Sequence, residues 1–291
     1  MIKMINNKKK ENFLIIDGNN LFYSSYYVSQ KLSYSFNTVF FALRVIISIV
    51  KKKKYDNILV VFDSGGENFR KKILPEYKSQ RVKMTEKMKK EFEEFKIFLI
   101  KVNINFIQLI DNEADDVIAS ITFQNDNPNI VFDIFSRDKD FFQLLKQGKI
   151  NILKYKEKKI INYTEDDFII EYNFSSSFFV DYLSLIGDKV DNIKGAKGIG
   201  EVSAKKIIKT FNNIENIFYS NKLICLQNNI RKILENNKEL ILRNKKIINL
   251  KKDIKIELKK NEFCWEKWKK NKELLNYCKE RKFFSIIKNL S

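Results

Sequence analysis

The chain has 291 residues, 44% hydrophobic and 31% charged, which is enough for one large or two modest domains with a buried core. It has no histidine, which excludes Ser-His-Asp triads, Cys-His proteases and His-ligated zinc sites. Its 55 lysines and arginines against 36 acidic residues give a formal net charge of +19. This charge favours a polyanionic partner, nucleic acid or anionic lipid, although a lysine-rich surface from a biased genome is an alternative.

The cysteines and the apolar runs indicate the cellular compartment of the protein. Cys225, Cys264 and Cys278 are far apart and form no CxxC motif, which indicates free thiols in a reducing environment. The basic N-terminus is followed only by "FLII" before Asp17, too short for the core of a signal peptide. The longest apolar run, residues 39–50, falls short of the roughly 20 residues of a membrane span. We therefore expect a soluble, cytoplasmic protein.

Strands and helices alternate in the first part of the chain, after a basic tail at residues 1–11 that we expect to be flexible. Four apolar runs are typical of buried strands: "FLIID" (13–17), "ILVVFD" (58–63), "INFIQLI" (104–110) and "NIVFDIFSRDKD" (129–140). Residues 37–50 and 87–102 have apolar residues at helical spacing. The alternation predicts an α/β doubly wound fold, with a mostly parallel central sheet flanked by helices.

The pattern changes near residue 174. The segments that follow predict a helix, a glycine-rich loop and a second helix: "FFVDYLSLIGD" (178–188), "KVDNIKGAKGIG" (189–200) and "EVSAKKIIKTF" (201–211). The remainder of the chain, to Ser291, is lysine-rich and helical in pattern. We therefore predict an α/β core at residues 12–173 and a helical region at 174–291.

Carboxylates stand at the carboxyl ends of the predicted strands, which is where open α/β sheets bind ligands. They are Asp17, Asp63, Asp138 and, in "NEADDVIASI" (112–121), Glu113, Asp115 and Asp116 at the start of a helix. A single aspartate there is commonly a turn residue, and the helix dipole favours an acidic first turn, but four converging segments are harder to explain this way. Without histidine, such a cluster favours Mg²⁺ or Mn²⁺, which prefer oxygen ligands and lower the pKa of bound water.

The glycine-rich loop places Gly195, Gly198 and Gly200 before a helix that begins near Glu201. Glycines let the backbone approach a phosphate closely, and a helix N-terminus offers free N–H groups. The order G-x-x-G-x-G with no preceding strand is not a dinucleotide fingerprint. The flanking helices predict a helix-hairpin-helix at about residues 178–211, which grips a DNA backbone; a turn between packed helices is the alternative.

A basic segment, "FRKKILPEYKSQR" (69–81), interleaves cations with an aromatic side chain. Arg70, Lys78 and Arg81 accompany Tyr77, a combination that suits phosphate steering and base stacking. A charged and exposed helix would have the same composition. The segment is therefore a candidate nucleic-acid contact.

Five segments in this order resemble the 5′ nuclease (5′–3′ exonuclease and flap endonuclease) domain of bacterial DNA polymerase I, and more distantly phage and eukaryotic flap nucleases. They are "IIDGNNLFYSSY", "VVFDSGGENFRKKILPEYKSQR", "NEADDVIASI", "FSRDKDFFQL" and "SLIGDKVDNIKGAKGIGEVSAKKII". The resemblance implies a PIN-like 5′ nuclease core with a helical arch at about residues 70–101, here as a stand-alone nuclease. Lys194 and Lys197 replace prolines that are usual in the family's loop.

The resemblance also implies roles for individual residues. A first metal ion would be held by Asp17, Asp63, Glu113, Asp115, Asp116 and Asp138, and a second by Asp140, Asp188 and Asp191, with Asp138 near both. The catalytic basic pair on the arch would be Lys78 and Arg81. DNA would be bound by Arg70, Tyr77, Lys194, Gly195, Lys197, Gly198, Gly200 and Lys205. In this family the hairpin also holds a K⁺ ion through backbone carbonyls.

The implied activity is that of a monomeric, divalent-metal-dependent 5′ nuclease with two Mg²⁺ or Mn²⁺ ions. It would hydrolyse DNA phosphodiesters at 5′ ends, nicks and 5′ flaps, for RNA primer removal and DNA repair. Two alternatives remain open. An RNase of a related metal-carboxylate fold is disfavoured by the hairpin, which fits a DNA duplex. A non-catalytic DNA-binding remnant is disfavoured by the complete set of nine carboxylates.

Overall fold

A six-stranded sheet forms the centre of the computed structural model, which describes residues 10–31, 37–66, 68–157, 159–219, 226–257 and 263–290. The strand order is β3-β2-β1-β4-β5-β6; β1 to β5 are parallel and β6 is antiparallel to β5. The strands are β1 (Glu11–Asp17), β2 (Asn57–Phe62), β3 (Asn105–Gln108), β4 (Ile130–Phe135), β5 (Ile150–Lys156) and β6 (Lys159–Tyr163). The predicted α/β fold with a mostly parallel sheet is confirmed.

Helices cover both faces of this sheet. They are α1 (Gly18–Lys31), α2 (Thr38–Lys52), α3 (Phe69–Ile73), α4 (Glu86–Lys101), α5 (Ala114–Gln124), α6 (Glu165–Tyr172), α7 (Phe179–Ile186), α8 (Glu201–Phe211), α9 (Ile214–Tyr219), α10 (Asn228–Asn236), α11 (Lys238–Ile248), α12 (Trp265–Trp268), α13 (Lys272–Glu280) and α14 (Phe284–Leu290). Two short 3₁₀ helices, Lys139–Leu144 and Ser176–Phe178, and a two-stranded ribbon of β7 (Gly187–Asp188) and β8 (Ile193–Lys194) complete the described elements.

Strand β1 shows why the central strands are apolar without alternation. Leu14 and Ile16 pack into the core under α1, α2 and α4, whereas Phe13 and Ile15 pack into the core under α5 and α7. All four side chains are at most 3% exposed. Because helices cover both faces of the sheet, the successive positions from Phe13 to Ile16 are all buried and apolar.

The order of the strands positions the polar residues that follow them. The chain moves outward from β1 to β2 and β3, then crosses back to place β4 on the other side of β1. The carboxyl ends of β1 and β4 therefore form the topological switch point, the usual ligand site of a doubly wound sheet. Asp17 ends β1, Asp63 follows β2 directly, and Asp138 follows β4 after two residues.

The second half of the chain differs from the sequence-based expectation at two places. Helix α7 ends at Ile186, two residues early, because Gly187 adopts a left-handed backbone (φ 76°) and starts the β7–β8 ribbon. Residues 250–257 are irregular rather than helical and run along α5, where the Ile254 N–H donates to the Ser120 hydroxyl at 3.2 Å. The last helices then return to the nuclease core, where the rings of Phe283 and Phe40 lie 5.0 Å apart.

The predicted N-terminal tail, residues 1–11, extends at least one residue too far. Glu11 belongs to β1, because its N–H donates to the Asn129 carbonyl at 2.7 Å and extends the pairing with β4. Residues 1–9 of the predicted tail, and Cys225, lie outside the described residues. Within the described ranges, no helix is both long and apolar enough to cross a membrane.

Candidate active site

A cavity of about 700 Å³ opens at the switch point of the sheet. Carboxylates from five separate segments line it: Asp17, Asp63, Asp115, Asp138, Asp188 and Asp191. The first four stand at strand ends or on the first turn of α5, and the last two belong to the β7–β8 ribbon and its turn. Six of the nine predicted metal ligands therefore line one cavity. The strand-end argument predicted the meeting of Asp17, Asp63, Asp115 and Asp138, but Glu113 and Asp116, which it also included, do not line the cavity.

Asp17 is fixed at the base of this cavity and is 6% exposed. Its Oδ1 accepts a hydrogen bond from the Asn20 N–H at 2.9 Å, and its Oδ2 accepts one from the Ser136 hydroxyl at 2.8 Å. Burial, with smaller contributions from the negative charges of Asp63 and Asp138, raises the pKa of Asp17 to about 7. The carboxylates are thus close enough to disfavour one another's ionisation.

The same crowding affects the carboxylates around Asp17. Burial raises the pKa of Asp63, Asp115 and Asp138, and mutual repulsion adds to the shift. Asp140 lies behind Asp138, and burial followed by repulsion from Asp138, Asp191 and Asp188 raises its pKa well above the usual value. The buried Oδ1 of Asp140 accepts no hydrogen bond from the described part of the chain. The cluster therefore has an unsatisfied oxygen acceptor and closely spaced carboxylates.

Basic side chains lie among these carboxylates. The Lys78 ammonium is 3.0 Å from Glu113 Oε1, 3.9 Å from Asp115 Oδ2 and 3.8 Å from Asp191 Oδ2. Arg81 donates to Asp191 at 2.9 Å. The predicted basic pair thus contacts the predicted metal ligands. With these cations among them, no three acidic or cysteine side chains of the described residues are already grouped as a metal site in this arrangement.

Asp116 and Glu113 do not line the cavity; they face Arg70. Asp116 is 2% exposed, and its two oxygens accept the Nη1 and Nη2 donors of Arg70, both at 2.7 Å. The Arg70 Nη1 also donates to Glu113 Oε2 at 2.8 Å, and its Nε donates to the Ile247 carbonyl at 2.7 Å. The acidic residues at the start of α5 therefore divide between two sites, with Asp115 in the cavity and Asp116 in the interior.

Two residues expected to contact DNA are buried instead. Arg70 is 2% exposed and Tyr77 is 3% exposed, and the Tyr77 hydroxyl donates to Glu113 Oε2 at 3.3 Å. In this arrangement both side chains bind carboxylates of the protein instead of facing solvent, so their DNA contacts stay a prediction. Helix α3 ends at Ile73, so no helical spacing links Arg70 to Tyr77 and the sequence held no local signal of their burial.

The lysines of the predicted hairpin differ in exposure and in their contacts. Lys194 and Lys197, with Gly198 and Gly200, are exposed in and beside the loop between β8 and α8. Gly195 is half-buried against the Ile186 carbonyl. Lys205, also expected to bind DNA, donates to the Glu171 carbonyl at 3.0 Å and lies over the Tyr172 ring at 4.7 Å.

Sequence reasoning missed several residues that line the cavity. Helix α1 contributes Asn19, Asn20, Tyr23 and Tyr27, and the segment after β4 contributes Arg137 and Lys139. The α1 residues recur at helical spacing immediately after Asp17. Projecting the sequence after Asp17 onto a helix would have placed them on the face beside that carboxylate. Arg137 and Lys139 flank Asp138 in sequence.

Comparison with known proteins identifies relatives across the whole chain. Residues 12–173 match the sequence model of the 5′–3′ exonuclease N-terminal, resolvase-like domain, and residues 174–271 match that of the 5′–3′ exonuclease C-terminal SAM fold. A 5′–3′ exonuclease of Mycoplasmopsis pulmonis is 36% identical over 88% of this chain and 86% of its own length. One from Buchnera aphidicola subsp. Acyrthosiphon pisum is 34% identical over 98% of this chain and 99% of its own length.

A longer relative and a solved structure also match this chain. DNA polymerase I of Caldicellulosiruptor bescii is 30% identical over 95% of this chain, which spans 33% of that relative. The crystal structure of the T5 D15 protein co-crystallised with metal ions superposes with a TM-score of 0.68 at 25% identity, over 82% of this chain and 89% of that one. The chain therefore belongs to the 5′–3′ exonuclease family and is a 5′–3′ nuclease.

Proposed function

We propose that the chain is a divalent-metal-dependent, structure-specific 5′ nuclease that hydrolyses DNA phosphodiesters at 5′ ends, nicks and 5′ flaps. The observation that carries this proposal is the meeting of six carboxylates from five segments in one cavity, with Lys78 and Arg81 beside them. A carboxylate cluster suits phosphodiester hydrolysis because hard divalent cations are ligated by oxygen. RNA primer removal and DNA repair would be the corresponding roles.

The chemistry of the donor set suits such ions, while its side chains are not yet grouped around a metal position in this structure, where Lys78 and Arg81 lie among them. The buried Oδ1 of Asp140, without a hydrogen-bond donor in the described residues, and the raised pKa of Asp115 both indicate that a cation would be favourable here. The T5 D15 neighbour was crystallised with metal ions. We propose that two Mg²⁺ or Mn²⁺ ions are held by Asp17, Asp63, Asp115, Asp138, Asp140, Asp188 and Asp191. When bound, they would lower the pKa of a water nucleophile and neutralise phosphate charge.

Glu113 and Asp116, which the family resemblance also gives as ligands, would support this set rather than join it directly. Asp116 accepts two hydrogen bonds from Arg70, and Glu113 accepts from Arg70 and Lys78. These contacts fix the first turn of α5 and therefore the direction in which Asp115 points. The N–H of Ala114 also donates to Asp63 Oδ1 at 2.7 Å, which joins α5 to the end of β2.

Lys78 and Arg81 would bind the scissile phosphate. The carboxylates around Lys78 outweigh its burial and raise its pKa well above the usual value, so the ammonium stays charged. A charged donor fixed before the reaction stabilises negative charge that develops on the phosphate oxygens. The Lys78 backbone is held in place by a hydrogen bond from its N–H to the Asp191 carbonyl at 3.1 Å.

The exposed loop before α8 would contact the DNA duplex. The exposed loop residues Lys194, Lys197, Gly198 and Gly200 would contact the duplex backbone, with a K⁺ ion bound by backbone carbonyls. The enzyme would act as a monomer. A DNA substrate would place it in the cytoplasm of a bacterial cell.

Cleavage of a 5′-end-labelled flap duplex tests the proposal, with Mg²⁺ and with EDTA, for wild type and Asp115→Asn. We expect Mg²⁺-dependent cutting near the junction and a loss on the order of 1,000-fold in the variant, since several kcal/mol of transition-state stabilisation are removed. The control, Asp126→Asn, makes the same change on an exposed side chain outside the cavity. Cutting that survives EDTA, or flap binding without cutting, would contradict the metal-dependent mechanism. A matched RNA flap distinguishes an RNase.

A further inference from the structure

Three cationic side chains line the active-site cavity, and two of them are paired. Arg81 donates to Asp191 at 2.9 Å, and the Lys139 ammonium lies 3.2 Å from Asp188. Arg137 is exposed, and within the described ranges its guanidinium has no hydrogen-bond, ion-pair or ring partner. It is therefore the cavity-lining cation whose charge is not already compensated by a described neighbour.

The backbone on both sides of Arg137 is fixed. Ser136 is fully buried, and its hydroxyl donates to Asp17 Oδ2 and accepts from the Asp138 N–H at 3.0 Å. Asp138 in turn accepts from the Asp140 N–H at 2.9 Å. The Cα atom of Arg137 is thus held at the rim of the carboxylate cluster, while its side chain extends into solvent within the cavity.

We propose that Arg137 binds a phosphate of the cleaved DNA strand next to the scissile phosphate. A guanidinium is permanently charged and pairs bidentately with phosphate oxygens, and this contact would break no existing ion pair. Lys78, whose side chain is 10% exposed, contacts the carboxylates directly, whereas Arg137 contacts none of them. The flanking phosphate, rather than the scissile one, is therefore its ligand. The inference rests on the proposed function and adds a substrate contact to it.

Binding of a flap duplex across a KCl series, in EDTA, tests the contact without cleavage. For Arg137→Gln we expect a Kd about 10-fold weaker and a slope of log Kd against log salt that is smaller by about one. Arg137→Lys should keep the slope and recover part of the affinity. The control, Arg44→Gln, makes the same change on an exposed arginine of α2 outside the cavity and should shift Kd less than twofold.

Methylphosphonate substitution identifies the phosphate. When the phosphate next to the scissile one is made neutral, wild type and Arg137→Gln should bind equally; neutralising a distant duplex phosphate should leave their difference unchanged. With Mg²⁺, the variant should raise KM and keep kcat. Equal binding by both proteins on every substrate, or a loss independent of the neutralised position, would overturn the inference. A wild type that binds without cutting would overturn the proposed function alone.

Discussion

Asp115 and Asp116 are adjacent in sequence, yet they have opposite electrostatic surroundings. Successive residues of a helix point about 100° apart, so one carboxylate faces the cavity and the other faces the interior. Asp115 lies among other carboxylates, and its pKa is raised well above the usual value, chiefly by burial. Asp116 instead accepts two donors from Arg70 and the N–H of Lys251 at 2.9 Å. Replacing each should therefore affect stability in opposite directions.

We expect Asp116→Ala to reduce the free energy of unfolding by about 3–5 kcal/mol, because it leaves the Arg70 guanidinium buried without its carboxylate. Asp115→Asn should not be destabilised in metal-free buffer, since it removes a repelled charge, although it should lose cleavage. Urea denaturation in EDTA measures both. Equal destabilisation by the two substitutions would show that Asp116 is not the structural partner of Arg70.

Asp17 makes the stability of the metal-free protein depend on pH. Its pKa is about 7 when folded against 3.8 for the ordinary side chain, so between these values the folded state binds more protons than the unfolded chain. Its contribution to stability therefore falls as the pH rises from about 4 to about 7. We expect Asp17→Asn to be more stable than wild type at pH 8 by ~1–3 kcal/mol, with the difference vanishing near pH 4. Urea midpoints in EDTA measure this; a pH-independent difference would contradict it.

At the residue scale, the sequence predicted which carboxylates converge but not how they are shared. Asp17, Asp63 and Asp138 follow apolar strands, and the geometry of a parallel sheet brings such residues to one edge. The orientation of Arg70 depends on α11, whose Ile247 carbonyl accepts from its Nε. A contact across 177 positions of the chain has no local pattern, so composition alone suggested an exposed phosphate contact.

Among the elements, the strands that follow apolar runs were the predictable ones. Strands β1, β2 and β4 are continuous apolar runs, whereas β5 and β6 were not predicted. Strand β6 is the edge of the sheet and exposes three of its five positions, and β5 loses its burial in its last residues. Positions that meet solvent tolerate polar side chains, so β5 and β6 have no continuous apolar run, whereas the other edge strand, β3, retains one and was predicted.

The loop before α8 depends on two glycines in different ways. A Cβ atom on Gly195 would lie 2.2 Å from the carbonyl carbon and oxygen of Ile186, whereas one on Gly200 would meet nothing within 4 Å. We expect Gly195→Ala to displace the loop, weaken flap binding at least 10-fold and destabilise the fold, while Gly200→Ala, at the N-cap of α8, should cost at most about 1 kcal/mol of stability and leave the loop in place. Flap affinity and urea midpoints measure both. Similar behaviour of the two variants would contradict this account of the loop.

At the scale of the whole molecule, the final helices join the end of the chain to the nuclease core. Trp268 donates its indole N–H to the Val102 carbonyl at 2.9 Å, and Arg281 donates to Glu94 of α4 at 2.6 Å. These helices pack against the face formed by α2 and α4 rather than against the hairpin region. The sequence showed their helical pattern, but not their position, because their apolar residues could have packed against either half.

Two adjacent phenylalanines test whether this segment unfolds together with the core. Phe283 is 1% exposed and packs edge-on against Phe40 of α2, whereas Phe284 is 68% exposed. Phe283→Ala should lower the free energy of unfolding by about 3–5 kcal/mol through a cavity in the shared core, and Phe284→Ala by less than ~0.5 kcal/mol. Urea unfolding should remain a single transition by tryptophan fluorescence and by circular dichroism, because Phe283 and the strand β1 residue Leu14 belong to the same core. An early, separate transition in Phe283→Ala, with flap cleavage retained, would instead show that α13 and α14 form an independent appendage.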